Sequence, residues 1–216
     1  IGRLIIRDGK GAHEIERPLA AGDVMLLVRS RTQTAVYERA LAAAGIPYVA
    51  ASRGGLLDSL EVRDIAALLE FLVTPAADLA LAQVLRSPLF ACSDDDLQLI
   101  AGEAGATWWQ RLKALVAASR ASVALLRATR LLAAWLQDAP RLPAHDLLDR
   151  IYDSGEVIAR YRLAVPESRR AAALANLEAL LLLALDLDGG RYPSLRRFIA
   201  ELRARRRAGD DDAPEE

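Results

Sequence analysis

The sequence predicts a mostly α-helical protein with a small α/β segment at its N-terminal end. Of its 216 residues, 53% are hydrophobic, chiefly alanine, leucine, valine and isoleucine, and only 5% are aromatic. Alanine and leucine are strong helix formers, and glycine and proline are sparse within the long apolar segments. A chain of this length and hydrophobic content has enough apolar surface for a sizeable core.

Charge, cysteine and hydropathy exclude several classes of protein. The net charge is −1, but residues 209–216 hold five acids and no base, which leaves residues 1–208 with a positive balance. The single cysteine, Cys92, excludes an internal disulfide, and with only His13 and His145 no zinc-ligand spacing exists. We interpret Cys92 as a small apolar residue in a turn rather than as a reactive thiol. No apolar run reaches the roughly 18 residues that a membrane span needs.

The N-terminal 51 residues begin with two distinct patterns. Ile1, Leu4 and Ile5 have the i, i+3, i+4 spacing of a helix face, which predicts a helix that starts before the sequence does. After a glycine-rich turn and a linker that ends at Pro18, residues 24–28 form a continuous apolar run. Such a run is typical of a strand that is buried on both faces of a parallel sheet.

A helix and a second strand are predicted after this run. Residues 34–44 carry an apolar face, and Gly45 suits the left-handed position that ends many helices. Residues 46–50 then predict a second strand, which completes a β-α-β unit. Because a parallel pair of strands is not stable alone, we expect its other strands to be missing or supplied elsewhere.

From residue 61 onward, the spacing of apolar residues predicts a series of amphipathic helices. The first ends at Thr74-Pro75, since the residue before a proline disfavours helical backbone. The second has Asp78 as its N-cap and ends at Ser87-Pro88. The remaining predicted helices span residues 94–101, 107–118, 122–137, 144–153, 156–163, 167–185 and 194–207. The acidic tail from Gly209 is predicted to be disordered.

The sequence contains no complete catalytic motif. Neither a GxxxxGK[ST] phosphate loop nor a GxSxG nucleophile elbow is present. Asp94, Asp95 and Asp96 form an acidic run, but Ser93 and Asp96 match an S-x-x-D cap, and acids at a helix start interact favourably with its dipole. We therefore interpret this run as structural rather than as a metal site.

Two arginines follow the first predicted strand. Arg29 and Arg31 come directly after residues 24–28, and ligands of open parallel sheets bind beyond the carboxyl ends of the strands. Two guanidinium groups at that edge suit an anionic ligand such as a phosphodiester backbone. The alternative is a pair of surface arginines in an ordinary turn.

The last predicted helix has a second basic surface. Arg196, Arg203 and Arg207 share one face at the spacing i, i+7, i+11, which suits contact with a nucleic-acid backbone. The alternative is a solvated face that the acids at 210–212 neutralise. The apolar stripe beside this face consists of Leu195, Phe198, Ile199 and Leu202.

Residues 20–97 resemble part of the UvrD-type superfamily 1 DNA helicases, above all the helicase-nuclease subunits of the AddA and RecB kind. The matching phrases are "DVMLLVRSRTQ", "LAAAGIPY", "EVRD" and "PAADLALAQVLRSP". Residues 98–208 match in helical character and position. The resemblance implies that the chain is a fragment of an ATP-dependent DNA helicase, of the helicase and exonuclease class that acts in double-strand-break repair and recombination.

The resemblance also implies a division into three parts. Residues 1–51 are expected to be a remnant of the second RecA-like motor subdomain, residues 52–208 the helical insertion called 2B, and residues 209–216 an acidic linker. In such helicases the first arginine after the strand and the residue two positions later lie on the single-stranded DNA path. These positions correspond to Arg29 and Arg31, and because the family often has asparagine at the second one, an arginine there suits a phosphate contact.

A further expectation concerns the turn after the "SP" segment. In UvrD-like proteins this turn contains glycine and touches the duplex backbone. The corresponding residues here are Leu89, Phe90, Ala91 and Cys92, without glycine, which argues against close backbone approach to a phosphate.

Cofactors and partners follow from the same resemblance. The ATP-binding motifs are absent, so we expect no cofactor or metal in this chain, ATP and Mg²⁺ only in the intact protein, and no activity of the fragment alone. The expected partners are DNA at a single-strand/duplex junction and a nuclease subunit. We expect no association with a membrane and a location in the cytoplasm. The alternative is a helical interaction module that docks a nuclease subunit without touching DNA. The salt dependence of binding distinguishes the two, because phosphate contacts weaken steeply with salt, whereas an apolar interface does not.

Overall fold

The architecture is that of a computed structural model, which describes residues 5–8, 15–28, 34–46, 56–186 and 194–211. These residues are mostly helical, which confirms the predicted fold class. The chain divides into two compact units, Ile1–Arg53 and Gly54–Glu216. No helix among the described residues is long and apolar enough to cross a membrane.

The first unit contains a β-hairpin and a helix. Strand β1 (Ile5–Asp8) pairs antiparallel with β2 (Ile15–Pro18), so that Ile5 lies opposite Pro18. A short 3-10 helix (Ala21–Asp23) and helix α1 (Thr34–Ala43) follow. Gly45 has a φ of +65°, the left-handed conformation expected after a helix end.

An ion pair connects the hairpin to the 3-10 helix. Arg17 donates two hydrogen bonds to the carboxylate of Asp23, at 2.6 and 2.7 Å, and the backbone N–H of Ala20 donates a third at 2.8 Å. The hydrogen bonds from Arg17, followed by the one from Ala20, lower the pKa of Asp23 to about 2. This carboxylate therefore stays charged at neutral pH.

Three predictions for the first unit are wrong. The predicted linker that ends at Pro18 contains strand β2, Ile15–Pro18, which pairs with β1. Ile5 lies in a strand rather than in a helix, because five residues are too few to distinguish the two periods and β-branched residues favour strands. Residues 24–28 form no strand and are exposed, Met25 to 81% and Leu27 to 84%. A strand buried on both faces needs neighbouring strands, and the described part of the chain places none beside these residues. Most of the second predicted strand, residues 47–50, lies outside the described residues.

The second unit is helical, and its helices begin and end within a few residues of their predicted positions. Thr74-Pro75 and Ser87-Pro88 end the first two as expected. The helices are α2 (Leu60–Val73), α3 (Asp78–Arg86), α4 (Asp94–Gly102), α5 (Trp108–Ala117), α6 (Val123–Asp138), α7 (Ala144–Ser154), α8 (Val157–Ala164), α9 (Glu167–Asp186) and α10 (Leu195–Asp211), preceded by a 3-10 helix (Leu56–Asp58).

Two details of these helices differ from the prediction. Asp78 is the first residue of α3 rather than its N-cap, and its carboxylate accepts a hydrogen bond from the backbone N–H of Trp108 at 2.9 Å. Helix α10 continues to Asp211, so the disordered tail does not begin at Gly209. Each residue added to an existing helix gains a hydrogen bond, and this favours continuation past Ala208.

Helix α2 lies at the centre of the core. It packs against α3, α6, α9 and α10, and its residues Ile65, Leu68 and Phe71 are fully buried. The ring of Phe71 meets that of Trp109 edge to face, with centroids 5.6 Å apart. Burial of each such side chain contributes about 1.5–3 kcal/mol, which makes α2 the main stabilising element of this unit.

Side chains and tight turns close the helix ends. Ser93 and Asp96 form the predicted capping box on α4, with Asp96 accepting from the Ser93 N–H at 2.9 Å. Helix α5 ends in a Schellman motif, in which the N–H groups of Arg120 and Ser119 donate to the carbonyls of Leu115 and Val116, both at 3.0 Å. Ser119, at a φ of +56°, occupies the position that favours glycine.

Candidate nucleic-acid interface

The five arginines predicted to contact DNA are described to different extents. Arg29 and Arg31 lie outside the described residues, so their contact with DNA stays a prediction. Arg196 and Arg203 lie on α10 and are exposed. Arg207 also belongs to α10, but its side chain is outside what the structure describes.

The apolar stripe of α10 anchors the helix as predicted. Leu195, Phe198, Ile199 and Leu202 are buried, and α10 packs against α2 and the 3-10 helix at Leu56–Asp58. This packing turns Arg196 toward solvent. Within the described residues, Arg196 has no carboxylate within ion-pair distance.

Carboxylates already neutralise other arginines of α10. Arg203 pairs with Glu70 of α2 at 2.9 Å, and Arg206 pairs with Asp58 at 2.9 Å. Arg205 pairs with Glu201 one turn earlier in the same helix. The alternative interpretation, a face of α10 whose charge is partly neutralised, is therefore present. The described acids that neutralise it come from α2, the 3-10 helix and α10 itself, whereas the sequence suggested the acids at 210–212.

The turn after the "SP" segment has a backbone conformation that its sequence did not predict. Ala91 has a φ of +52°, in the left-handed region that favours glycine. The N–H of Ala91 donates to Ser87 O at 2.8 Å, and that of Cys92 donates to Leu85 O at 2.9 Å. Leu89 and Phe90 are buried. The turn is thus formed without glycine, with the exposed Ala91 at its outer side.

Arg127 of α6 holds this turn from the side. Its Nη1 donates to Leu89 O and its Nη2 to Gly155 O, both at 2.8 Å. Its side chain is only 18% exposed, and its guanidinium lies 5.7 Å from the centre of the Phe90 ring. Burial, and then the like charge of Arg160, lower the pKa of Arg127. Sequence reasoning missed this role, because nothing in the spacing of α6 links Arg127 to residue 89.

Two acids of the "EVRD" phrase also have structural roles that were not predicted. Glu61 is buried and accepts a hydrogen bond from Asn176 of α9 at 2.6 Å. Asp64 accepts hydrogen bonds from Gln83 of α3 at 3.1 Å and from the Tyr161 hydroxyl of α8 at 2.9 Å. Burial raises the pKa of Asp64, and burial together with the charge of Asp64 raises the pKa of Tyr161. These acids connect α2 to three other helices, since a buried polar group needs a partner.

The structure supports the structural interpretation of Cys92 and the 94–96 acids. Cys92 is buried, and burial raises the pKa of its thiol to about 12, which disfavours the reactive thiolate. Asp96 caps α4 and Asp94 pairs with Arg86. Within the described residues, no three His, Cys, Asp or Glu side chains lie together as a metal site.

Comparison with known proteins identifies relatives of the chain. No family model matches it. It is 28% identical to an ATP-dependent helicase/nuclease subunit of the AddA type from Lysinibacillus sphaericus, over 97% of this chain and 18% of that protein. Proteins of the same name from Geobacillus kaustophilus and Bacillus pumilus are 29% and 27% identical, over 88% and 92% of this chain and 16% of each relative.

The chain thus spans less than a fifth of the length of these relatives. The similarity over 88–97% of the chain extends beyond residues 20–97 into residues 98–208, for which the sequence offered only a match in helical character and position. Over nearly its whole length the chain is similar to one segment of these helicase/nuclease subunits, which confirms the resemblance to the AddA type.

Proposed function

We propose that this chain is part of a subunit of an ATP-dependent DNA helicase/nuclease, and that it positions duplex DNA. Residues 1–51 then belong to the second RecA-like motor subdomain and residues 52–208 to the 2B insertion. The observation that carries the proposal is the similarity to AddA-type helicase/nuclease subunits across 88–97% of the chain. In the intact protein, closure of the motor moves single-stranded DNA while the helical insertion guides the duplex.

ATP and Mg²⁺ belong to other parts of such a protein. The sequence has no phosphate loop, and the described residues hold no cluster of metal-ligating side chains. The proposal therefore places ATP and Mg²⁺ outside the described part of the chain. The relatives are named as subunits, which supports a further partner in the form of a second subunit.

Two features support a role in DNA positioning. Arg196 presents on α10 a guanidinium that no described carboxylate neutralises, and guanidinium groups bind phosphates with two hydrogen bonds. The turn at residues 87–92 presents Ala91 to solvent, in the position that touches the duplex in UvrD-like proteins, although the Cβ of Ala91 keeps a phosphate farther from the backbone than a glycine would. Both features lie in the second unit.

The test is a fluorescence-anisotropy titration of the 216-residue chain with a labelled single-strand/duplex junction between about 50 and 200 mM salt. Arg196→Ala, and separately Arg29→Ala, should weaken binding and reduce the salt slope by about one for each lost phosphate contact. Arg203 needs the paired change Arg203→Gln with Glu70→Gln, because loss of Arg203 alone leaves Glu70 without its partner. Arg141→Ala, an exposed arginine after α6, is the control. Absence of binding at 50 mM salt would refute the proposal.

A second candidate function is docking of a nuclease subunit without DNA contact. The outer side of α9 favours it, since Leu182 is 64% and Leu185 is 51% exposed on a helix that is apolar on nearly every side. The substitutions Leu182→Gln and Leu185→Gln should then weaken binding to the purified partner subunit, whereas junction binding should stay unchanged. Unchanged partner binding would exclude this face as the docking surface.

A further inference from the structure

An arginine cluster outside the predicted sites lies around Glu156, the residue before α8. It consists of Arg127 and Arg130 of α6 and Arg160 of α8, with Glu156, the residue before α8, as its nearest acid. Glu156 lies within ion-pair distance of Arg127 and Arg160, and no described carboxylate lies within that distance of Arg130. The cluster therefore has an excess of positive charge that the described residues do not neutralise.

Arg127 and Arg160 compete for the same carboxylate oxygen. Glu156 Oε2 lies 3.6 Å from Arg127 Nη2 and 3.4 Å from Arg160 Nη2. Both distances exceed those of a short charge-assisted hydrogen bond, so neither arginine is held tightly by Glu156. Glu156 is 63% exposed, so solvent further weakens these ion pairs. A dianionic or monoanionic oxygen group that approaches from solvent can replace it.

The three arginines differ in how firmly they are held. Two backbone carbonyls fix Arg127, so its position is set before any ligand arrives. Arg160 is 30% exposed, and its buried Nε has no hydrogen-bond acceptor among the described residues. Arg130 is exposed one turn after Arg127 and, in the described part of the chain, has no carboxylate partner. The cluster thus combines one rigid cation, one that pairs weakly with Glu156, and one without a described carboxylate partner.

The cluster also adjoins the turn at residues 87–92. Arg127 Nη1 bonds to Leu89 O, and the same guanidinium lies over the Phe90 ring. An anion bound to the cluster is therefore next to this turn. A strand whose phosphates contact the cluster therefore runs beside this turn.

We propose that Arg127, Arg130 and Arg160 form a phosphate-binding site for the backbone of duplex DNA that passes the 87–92 turn. This inference rests on the proposed function and adds to it a contact site that the sequence did not indicate. Glu156 competes with the phosphate for the same guanidinium groups and so lowers the affinity of the site.

The experiment is the junction titration on the whole chain, repeated with duplex alone and with single strand alone. The double variant Arg130→Ala with Arg160→Ala should reduce the salt slope for duplex by about two. Each phosphate contact contributes about 0.9 to the slope of log affinity against log salt concentration. At about 0.1 M salt, the loss of one contact therefore weakens the affinity for duplex roughly eightfold. Arg141→Ala, an exposed arginine beyond the end of α6, whose last residue Asp138 lies about 12 Å along the helix axis from Arg130, controls for loss of charge elsewhere. Arg127 is left unchanged because it supports the fold.

Glu156→Gln tests the site in the opposite direction. It removes the competing charge at nearly constant shape, so duplex binding should tighten and the salt slope should steepen. If the wild-type chain binds the junction and these variants bind it with the same affinity and salt slope, the phosphate site at Arg127, Arg130 and Arg160 (the arginine site) is refuted, while the proposed function stands. If the variants lose affinity for single strands only, the duplex assignment is refuted. If the wild-type chain does not bind DNA at 50 mM salt, both proposals fail.

Discussion

Replacement of Arg127 by lysine tests whether this side chain acts through its forked geometry or only through its charge. The guanidinium donates from Nη1 to Leu89 O and from Nη2 to Gly155 O, both at 2.8 Å, and both of these residues are buried. A lysine keeps the positive charge but has one nitrogen, which cannot reach both carbonyls as the planar fork does. One carbonyl is then left without a donor in a buried position.

The size of the effect follows from that loss. An unsatisfied buried acceptor costs about 1–3 kcal/mol, so Arg127→Lys should lower the free energy of unfolding by roughly that amount. Arg127→Leu removes both donors and should cost about twice as much. The partner Glu156 adds little, because it is 3.6 Å away and 63% exposed.

Urea unfolding followed by tryptophan fluorescence measures this directly. The tryptophans, Trp108, Trp109 and Trp135, lie in the second unit, so the signal reports the unfolding of that unit. Arg130→Lys, on the same helix but exposed, is the matched control and should change stability by less than about 0.5 kcal/mol. If Arg127→Lys is as stable as the wild type at an unchanged m-value, the two carbonyl bonds do not hold the turn and the reasoning is wrong.

Three further predictions each concern a single residue of the second unit. Gly155→Ala should destabilise the second unit by about 1–3 kcal/mol, because an added Cβ would lie 2.5 Å from Ile151 O; unchanged urea stability would contradict this. Ser119→Gly should stabilise the same unit by about 1 kcal/mol, since the φ of +56° strains any residue with a Cβ, and a lower thermal midpoint would contradict it. At pH 8 the Cys92 thiol should resist a disulfide reagent in the folded chain and react in urea, because a pKa raised from 9.0 to about 12 reduces the thiolate fraction roughly 1,000-fold; equal rates would show that it is accessible.

The helices of the second unit could be predicted from sequence because their signals are local. Pro75 and Pro88 end helices through their own sterics, and Ser93 caps α4 through residues only three positions away. The stripe of α10 repeats every three to four residues, so it was visible without its partner α2. None of these signals depends on which elements pack together.

Features that depend on distant neighbours were not predictable in the same way. The strand expected at residues 24–28 needs other strands beside it, and local hydrophobicity does not reveal whether they are present. Arg127 meets Leu89 across 38 positions, and Asn176 meets Glu61 across 115. A sequence pattern indicates only whether such residues are exposed or buried, and not which distant residues they contact. The arginine site and the polar contacts of Glu61 and Asp64 therefore had no local signal in the sequence.

The two basic surfaces of the second unit differ in how readily they accept a phosphate. On α10, a phosphate that binds Arg203 must replace Glu70 at 2.9 Å, and it leaves that carboxylate to be solvated again. An exposed pair of this kind is worth only about 0–1 kcal/mol, so loss of the Glu70 pair reduces the gain from a phosphate at Arg203 by at most about that amount. At the arginine site the acid is farther away and is shared, while Arg130 has no described acid to release. Displacing the acid therefore costs less at the arginine site than at the Arg203 end of α10, and on α10 the described side chain of Arg196 has no carboxylate within ion-pair distance to displace.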